Sequence, residues 1–214
     1  MSNLRNDLFE ILNSPDVAEG DLRSQVVDAL IKAPPPPPKI TYPEFMAWAD
    51  EDTLAEWVDG EVVMTSPASR KHQEIAGFLL QITALYCQVN ELGVVLLAPF
   101  QMKLANSGRE PDLFFVARAH LDRLHATYLD GPADLVVEII SPESVGRDRG
   151  DKFYEYEQAG ILEYWLVDPQ LRSVEVWARL EDGRYARAVG ASSGVIAEVP
   201  GCAGLRFDLD QMWA

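Results

Sequence analysis

The sequence predicts an α/β sandwich of the α+β type, built on a mixed sheet flanked by helices. Three observations point there. The patterns run helix, several strands, long helix, then strands, which is not the regular alternation of a doubly wound fold. The run LVVEII, Leu135 to Ile140, is apolar on both faces, as in a strand covered on two sides. No glycine-rich loop of the kind that cradles nucleotides occurs.

Taken in order, residues 1–33 read as a helical extension. Leu4, Leu8, Ile11 and Leu12 form one apolar stripe, and Leu22, Val26, Val27, Leu30 and Ile31 a second. Residues 34–39 are a linker whose unbroken proline run, Pro34 to Pro38, is expected to be a stiff polyproline II spacer. The main domain is expected over 40–214. It opens on a short helix with Thr41 as cap and Glu44 at the reciprocal position. AEWVDGEVVMTS follows as a hairpin turning at Asp59-Gly60. Ser69 to Asn90 is a long amphipathic helix with Ile75, Phe78, Leu79, Ile82, Leu85, Tyr86 and Val89 on its apolar side. GVVLLAPF and QMKLA read as one bent strand or two, Ser107-Gly108 as a turn, and Asp112 to Val116 as a strand. A short helix is expected over 118–126. The strand holding Glu138 ends at Pro142, and Gly146 to Gly160 is a helix with a breaker at each end. EYWLV, SVEVWAR, RYARAV and LRFDL supply the last strands.

Composition bounds the function. The chain has 214 residues, with 48% apolar and 24% charged, as in an ordinary globular protein. No apolar run has the length of a membrane span. The N-terminus lacks the basic end and apolar block of an export signal. Cys87 and Cys202 have no metal-ligand spacing, and so few cysteines fit a reducing cytoplasm. The net charge of −16 counts against simple nucleic-acid binding. Local basic clusters exist at Arg70-Lys71-His72 and at Arg147, Arg149 and Lys152, although each alone also reads as a solvated helix face.

Glu138 is the only polar side chain in its apolar run. An ionised carboxylate there is costly unless a metal, a cation or a hydrogen-bond network pairs with it. Asp112 stands at the mouth of another apolar run, behind a proline that holds the backbone extended. If the two strands are neighbours, their carboxylates converge on one hard cation such as Mg2+ or Mn2+, and the carbonyl of Ile139 adds a ligand. Lys152, early in the next helix, is the amine that would orient a water, with Lys103 a rival on an adjacent strand. The bland readings stay open: Asp112 capping a turn, Glu138 paired with an arginine, and Lys152 balanced by Asp148 or Glu155.

The blocks EPDLFFV, GPADLVVEIISPES and RDRGDKFYEYEQAGILEYWLVDP, in that order, closely resemble the Uma2-like family, also called DUF820. WVDGEVVMTSPASRKHQEIAGFL resembles its opening block. That family is classed among restriction endonucleases of the PD-(D/E)XK nuclease superfamily. The resemblance implies a restriction-endonuclease-like core with a metal at a fork in the strands. It puts Asp112 on the PD motif and Glu138 on the acid of (D/E)XK. Ile140 stands where a strict motif has lysine, and Lys152 is the family's substitute. Asp148 and Tyr156 match the same block as accessory residues. Glu61 and His72 match the opening block, Glu61 as a further metal ligand through water and His72 as a contact to metal or phosphate. The implied activity is a Mg2+- or Mn2+-dependent endonuclease acting on DNA. The alternative is a catalytically inactive module of the same fold that binds nucleic acid or a protein partner, which the acidic charge and displaced lysine favour. A homodimer through the N-terminal helices is compatible with double-strand cutting.

Overall fold

The computed structural model describes residues 39–49, 53–196 and 204–214. The expected N-terminal helices and proline run lie outside them. The first element is α1 (Tyr42–Trp48), whose Thr41 cap forms the reciprocal box: Thr41 N donates to the Glu44 carboxylate at 2.7 Å, and Glu44 N donates to Thr41 Oγ1 at 3.4 Å. The hairpin of β1 (Ala55–Val58) and β2 (Glu61–Met64) turns through Asp59 and Gly60, with φ of 49° and 90°, the left-handed pair that tight hairpins need. Then comes α2 (Arg70–Val89), started by Ser69, whose hydroxyl accepts from His72 N.

Two mixed sheets follow from the strand pairing. Strands β4 (Gln101–Lys103), β5 (Ser107–Arg109) and β7 (Tyr128–Asp130) join the hairpin in a five-stranded sheet ordered β2-β1-β5-β4-β7. The larger sheet contains β3 (Gly93–Leu97), β6 (Leu113–Ala117), β8 (Leu135–Ile139), β9 (Glu163–Asp168), β10 (Ser173–Arg179) and β11 (Tyr185–Ala191), in the order β11-β10-β9-β8-β6-β3. Its central strand β8 pairs antiparallel with β6 and parallel with β9. Between β8 and β9 a π-helical turn, Arg147–Asp151, runs into α3 (Lys152–Ala159), which stops at Gly160 with φ of 87°. A two-stranded ribbon, β12 (Val195–Ile196) with β13 (Phe207–Asp208), leads to α4 (Leu209–Trp213).

Strand alternation divides the core. Leu135, Val137 and Ile139 face a cluster shared with Ile75 and Leu79 of α2 and with Met212 and Trp213 of α4. Val136 and Ile140 face the opposite cluster, with Met102 and Leu129 of the smaller sheet and Tyr156 of α3. Glu138, of the same parity, belongs to this second face, between sheet, helix and second sheet.

The structure departs from the sequence reading at several elements. Ser107-Gly108 is not a turn but part of buried strand β5, paired on both sides. Of the two readings left open for GVVLLAPF and QMKLA the structure has the second, two strands, in different sheets and divided at a cis Ala98–Pro99 bond. The stretch after β6 is a 3-10 helix, Arg118–Arg123, and β7 and α4 were not expected. On α2, Leu85 and Val89 are 62% and 72% exposed, because Thr83 and Cys87 take the buried positions of the last turns.

Candidate active site

Register brings the two acids together. Leu113 stands opposite Val137, so one step outward sets Asp112 opposite Glu138, and opposed residues of an antiparallel pair share a face. Beyond the paired residues the Ile139 amide has no ladder partner on β6. The Asp112 carboxylate takes its place, with Oδ2 accepting from Ile139 N at 2.7 Å. The same oxygen is 3.1 Å from His72 Nε2, delivered by the first turn of α2. Asp112 stands at a bend just before β6. Asp112 and His72 are half-buried at the sheet's end, and the Ile139 backbone lies beside the imidazole.

Glu138 is 3% exposed and is met by α3. Its Oε1 accepts from Lys152 Nζ at 2.9 Å and from Tyr156 OH at 2.8 Å, two donors one helical turn apart. Lys152 Nζ also lies 3.2 Å from Glu56 Oε1 and 3.7 Å from Asp148 Oδ1. Asp148, buried one turn earlier, accepts from Ser144 Oγ on Oδ2, while its Oδ1 has no hydrogen-bond partner among the described residues. Lys152 therefore turns inward, although helix spacing alone favours a surface residue.

The electrostatics follow from too many acids around one lysine. Burial opposes the charge on Lys152, but Glu138, Glu56 and Asp148 together hold the ammonium well above the usual lysine range. Burial pushes the Glu138 carboxyl far up; Lys152 pulls it back, and the charges of Asp148, Asp112 and Glu56 push it further. Asp148 is raised chiefly by burial, against the pull of Lys152 and Ser144. His72 is lowered by burial but raised overall by its hydrogen bond to Asp112, by the charges of Asp112 and Asp148, and by the Ile139 backbone.

Of the other expected residues, Lys103 is occupied elsewhere. Its ammonium is 2.9 Å from Asp130 and lies over the Tyr42 ring. Glu61 sits on the outer strand of the hairpin, opposite Val58, and no contact with the acids occurs among the described residues. The hairpin's contribution is instead Glu56, which the sequence reading passed over; behind it stand Arg109 of β5 and Glu155 of α3. The signal for Glu56 is weak: one acid in an ordinary alternating strand, in a stretch rich in acids.

Among the described residues no three His, Cys, Asp or Glu side chains converge as a ready-made metal cage. Mg2+ does not need one, since it uses one or two carboxylates and keeps its waters. The donor set fits such a hard cation: Asp112, Glu138 and the Ile139 carbonyl would offer it oxygen ligands, and a divalent ion would relieve a buried cluster of acids. His72, drawn toward its protonated form, suits a carboxylate clamp better than a ligand.

Comparison with known proteins agrees with this fold. An uncharacterised protein of Synechocystis sp., slr1290, is 25% identical over 156 residues, which is 70% of this chain and 80% of that protein. A DUF820 protein from Anabaena variabilis, described as a "putative nuclease", shares the fold with a TM-score of 0.69 at 15% identity, over 81% of this chain and 97% of its own. Residues 42–210 match the Uma2 family, described as "Putative restriction endonuclease". That match runs from α1 into α4 and takes in both sheets, and the chain belongs to the Uma2 family.

Proposed function

We propose that this protein is a Mg2+- or Mn2+-dependent endonuclease that hydrolyses DNA phosphodiester bonds at Asp112, Glu138 and Lys152. The observation that carries the reading is the 2.9 Å contact between Lys152 Nζ and Glu138. It returns an amine to the acid although Ile140 occupies the position where the strand would supply one. Asp112 and Glu138, with the Ile139 carbonyl, would hold the cation. When bound, that cation lowers the pKa of a coordinated water and neutralises phosphate charge. Lys152, held in its charged form, orients the attacking water and stabilises charge building on the phosphate oxygens. Tyr156 fixes the Glu138 carboxylate from one side. His72 and the Ile139 amide fix Asp112. Asp148 keeps a third carboxylate beside the ammonium and so favours its protonated state.

One observation favours the second reading, an inactive module of the same fold. The Lys152 side chain is 7% exposed and already engaged by two carboxylates. Plasmid and single-stranded DNA incubated with Mg2+ or Mn2+ separate the two. The enzyme cuts at least one of them, and Asp112→Ala and Glu138→Ala each lower cleavage by about a hundredfold or more, as loss of a group acting in the transition state does. No cleavage with either ion, or cleavage indifferent to both substitutions, leaves the inactive module standing.

A further inference from the structure

Glu56 is the carboxylate to which the chemistry above assigns no task. It comes from β1 in the smaller sheet, is 2% exposed, and meets Lys152 Nζ at 3.2 Å from the side away from Glu138's strand. It is held from behind. Arg109 Nη1 donates to Glu56 Oε2 at 3.1 Å, and Glu110 N donates to Oε1 at 3.2 Å. Arg109 Nε in turn donates to Glu155 at 2.8 Å, and the Ser107 hydroxyl donates to the same carboxylate. A chain of alternating charge thus runs Glu155, Arg109, Glu56, Lys152, Glu138. It leaves α3 at Glu155, crosses the smaller sheet, returns to α3 at Lys152 and ends on β8.

The two partners of Lys152 differ in one respect. Glu138 Oε1 already accepts from both Lys152 and Tyr156, and a cation drawn to that carboxylate would weaken its hold on the ammonium by drawing off its negative charge. Glu56 Oε1 is likewise shared, by Lys152 and Glu110 N, but Glu56 is not among the oxygen donors proposed for the cation, and its other oxygen is filled by Arg109. A lysine on a helix also needs more restraint than one on a strand beside the acid. It reaches across on four rotatable bonds, and its position has to be held by what it touches.

We propose that Glu56, fixed by Arg109, is a positioning residue that keeps the Lys152 ammonium at the site when a divalent cation takes Glu138. The inference rests on the metal-dependent reading above. Its readout is the protection of an amine, which does not depend on turnover. The full chain, unmodified and as Glu56→Gln, is treated with an amine-acylating reagent with and without saturating Mn2+. The rate at Lys152 is followed by peptide mass spectrometry, with Lys103 as the internal reference. Unmodified protein labels slowly in both conditions. Glu56→Gln labels slowly without Mn2+, because Glu138 still holds the amine. With Mn2+ it labels about tenfold faster or more, the effect expected from losing one charge-assisted hydrogen bond. Glu56→Asp, which keeps the buried charge but draws it back by one methylene, shows the same Mn2+-dependent rise and serves if Glu56→Gln does not fold. A purely structural role for Glu56 speeds Lys152 labelling equally with and without Mn2+, and that result overturns the proposal. Mn2+ binding by calorimetry with Lys152 equally protected in the variants and the unmodified chain overturns it alone. No heat of Mn2+ binding to the unmodified chain overturns the metal reading and the inference with it.

Discussion

Glu138 binds its proton more tightly in the fold than in the open chain. Burial is the largest cause, with Asp148, Asp112 and Glu56 adding to it against Lys152. Asp148 shifts the same way, and Glu110, half-buried near Glu56, is pushed up to about 7, first by burial. An acid with a raised folded pKa binds more protons folded than unfolded. Its contribution to stability is complete below the unfolded value and is lost as pH rises through the folded one. Metal-free protein should therefore lose melting temperature from about pH 5 to pH 8, and Glu138→Gln should flatten that decline. The same proton has to leave before a cation binds. Mn2+ affinity by calorimetry should rise with pH by up to about tenfold per unit, with proton release visible as a heat that depends on the buffer. Affinity flat with pH removes Glu138 from the metal site, and a melting-temperature decline as steep in Glu138→Gln as in the unmodified chain assigns that decline to Glu110 and Asp148 instead. Lys152 has the opposite chemistry and the same sign: its ion pairs stabilise the fold below the unfolded lysine value and are lost only as pH climbs through its raised folded one.

At the scale of the element, the site depends on how closely β5 is packed. A Cβ on Gly108 would stand 2.5 Å from Gln101 Oε1 and 2.5 Å from the Tyr42 ring, so glycine is there for close approach. Gly108→Ala should cost about 1–3 kcal/mol by overpacking in urea unfolding. Because β5 carries Arg109 and pairs with the strand of Glu56, Mn2+-loaded Gly108→Ala should also expose Lys152 to acylation. Unchanged stability would mean that the strand yields freely. This strand also marks the limit of what was legible in the chain. Ser-Gly reads locally as a turn, and only pairing with β1 and β4, remote in sequence, makes it a strand. Asp112 and Glu138 stood out because each is a charge at or inside an apolar run, and their cost is visible without a structure. Glu56 did not, because AEWV is ordinary hairpin alternation and its partner Arg109 lies 53 residues away. The inward turn of Lys152 was equally hidden. The π-helical turn before α3 sets the phase that lets Asp148, Lys152 and Tyr156 face Glu138 together, and periodicity does not encode such a turn.

At the scale of the molecule, a chain of net charge −16 is proposed to hold a polyanion. Among the described residues most cations near the site are already engaged, although Arg147 Nε, beside Asp148, has no hydrogen-bond partner. Arg149 is tied to Glu175 at 2.7 Å and faces Asp168 at 3.7 Å, and Lys71 Nζ donates to the Trp213 carbonyl at 3.1 Å. Arg70 is exposed, with a loose 3.6 Å contact to Glu74. On the proposed reading the attraction would come largely from divalent ions held by Asp112 and Glu138, whose charge would reverse the local sign of the field. Two consequences separate this from an ordinary basic DNA-binding face. Fluorescence anisotropy with a labelled duplex should show binding with Ca2+ present and none in chelator. Only a few side-chain cations replace counterions on the backbone, so log K against log salt at fixed divalent concentration should be shallow, with a slope between about −1 and −3. A protein gripping DNA through a basic surface makes several more phosphate contacts and gives a slope near −6 or steeper, largely indifferent to chelator. That outcome would move the DNA away from Asp112 and Glu138 and leave the acid cluster as an ion-paired element of the core.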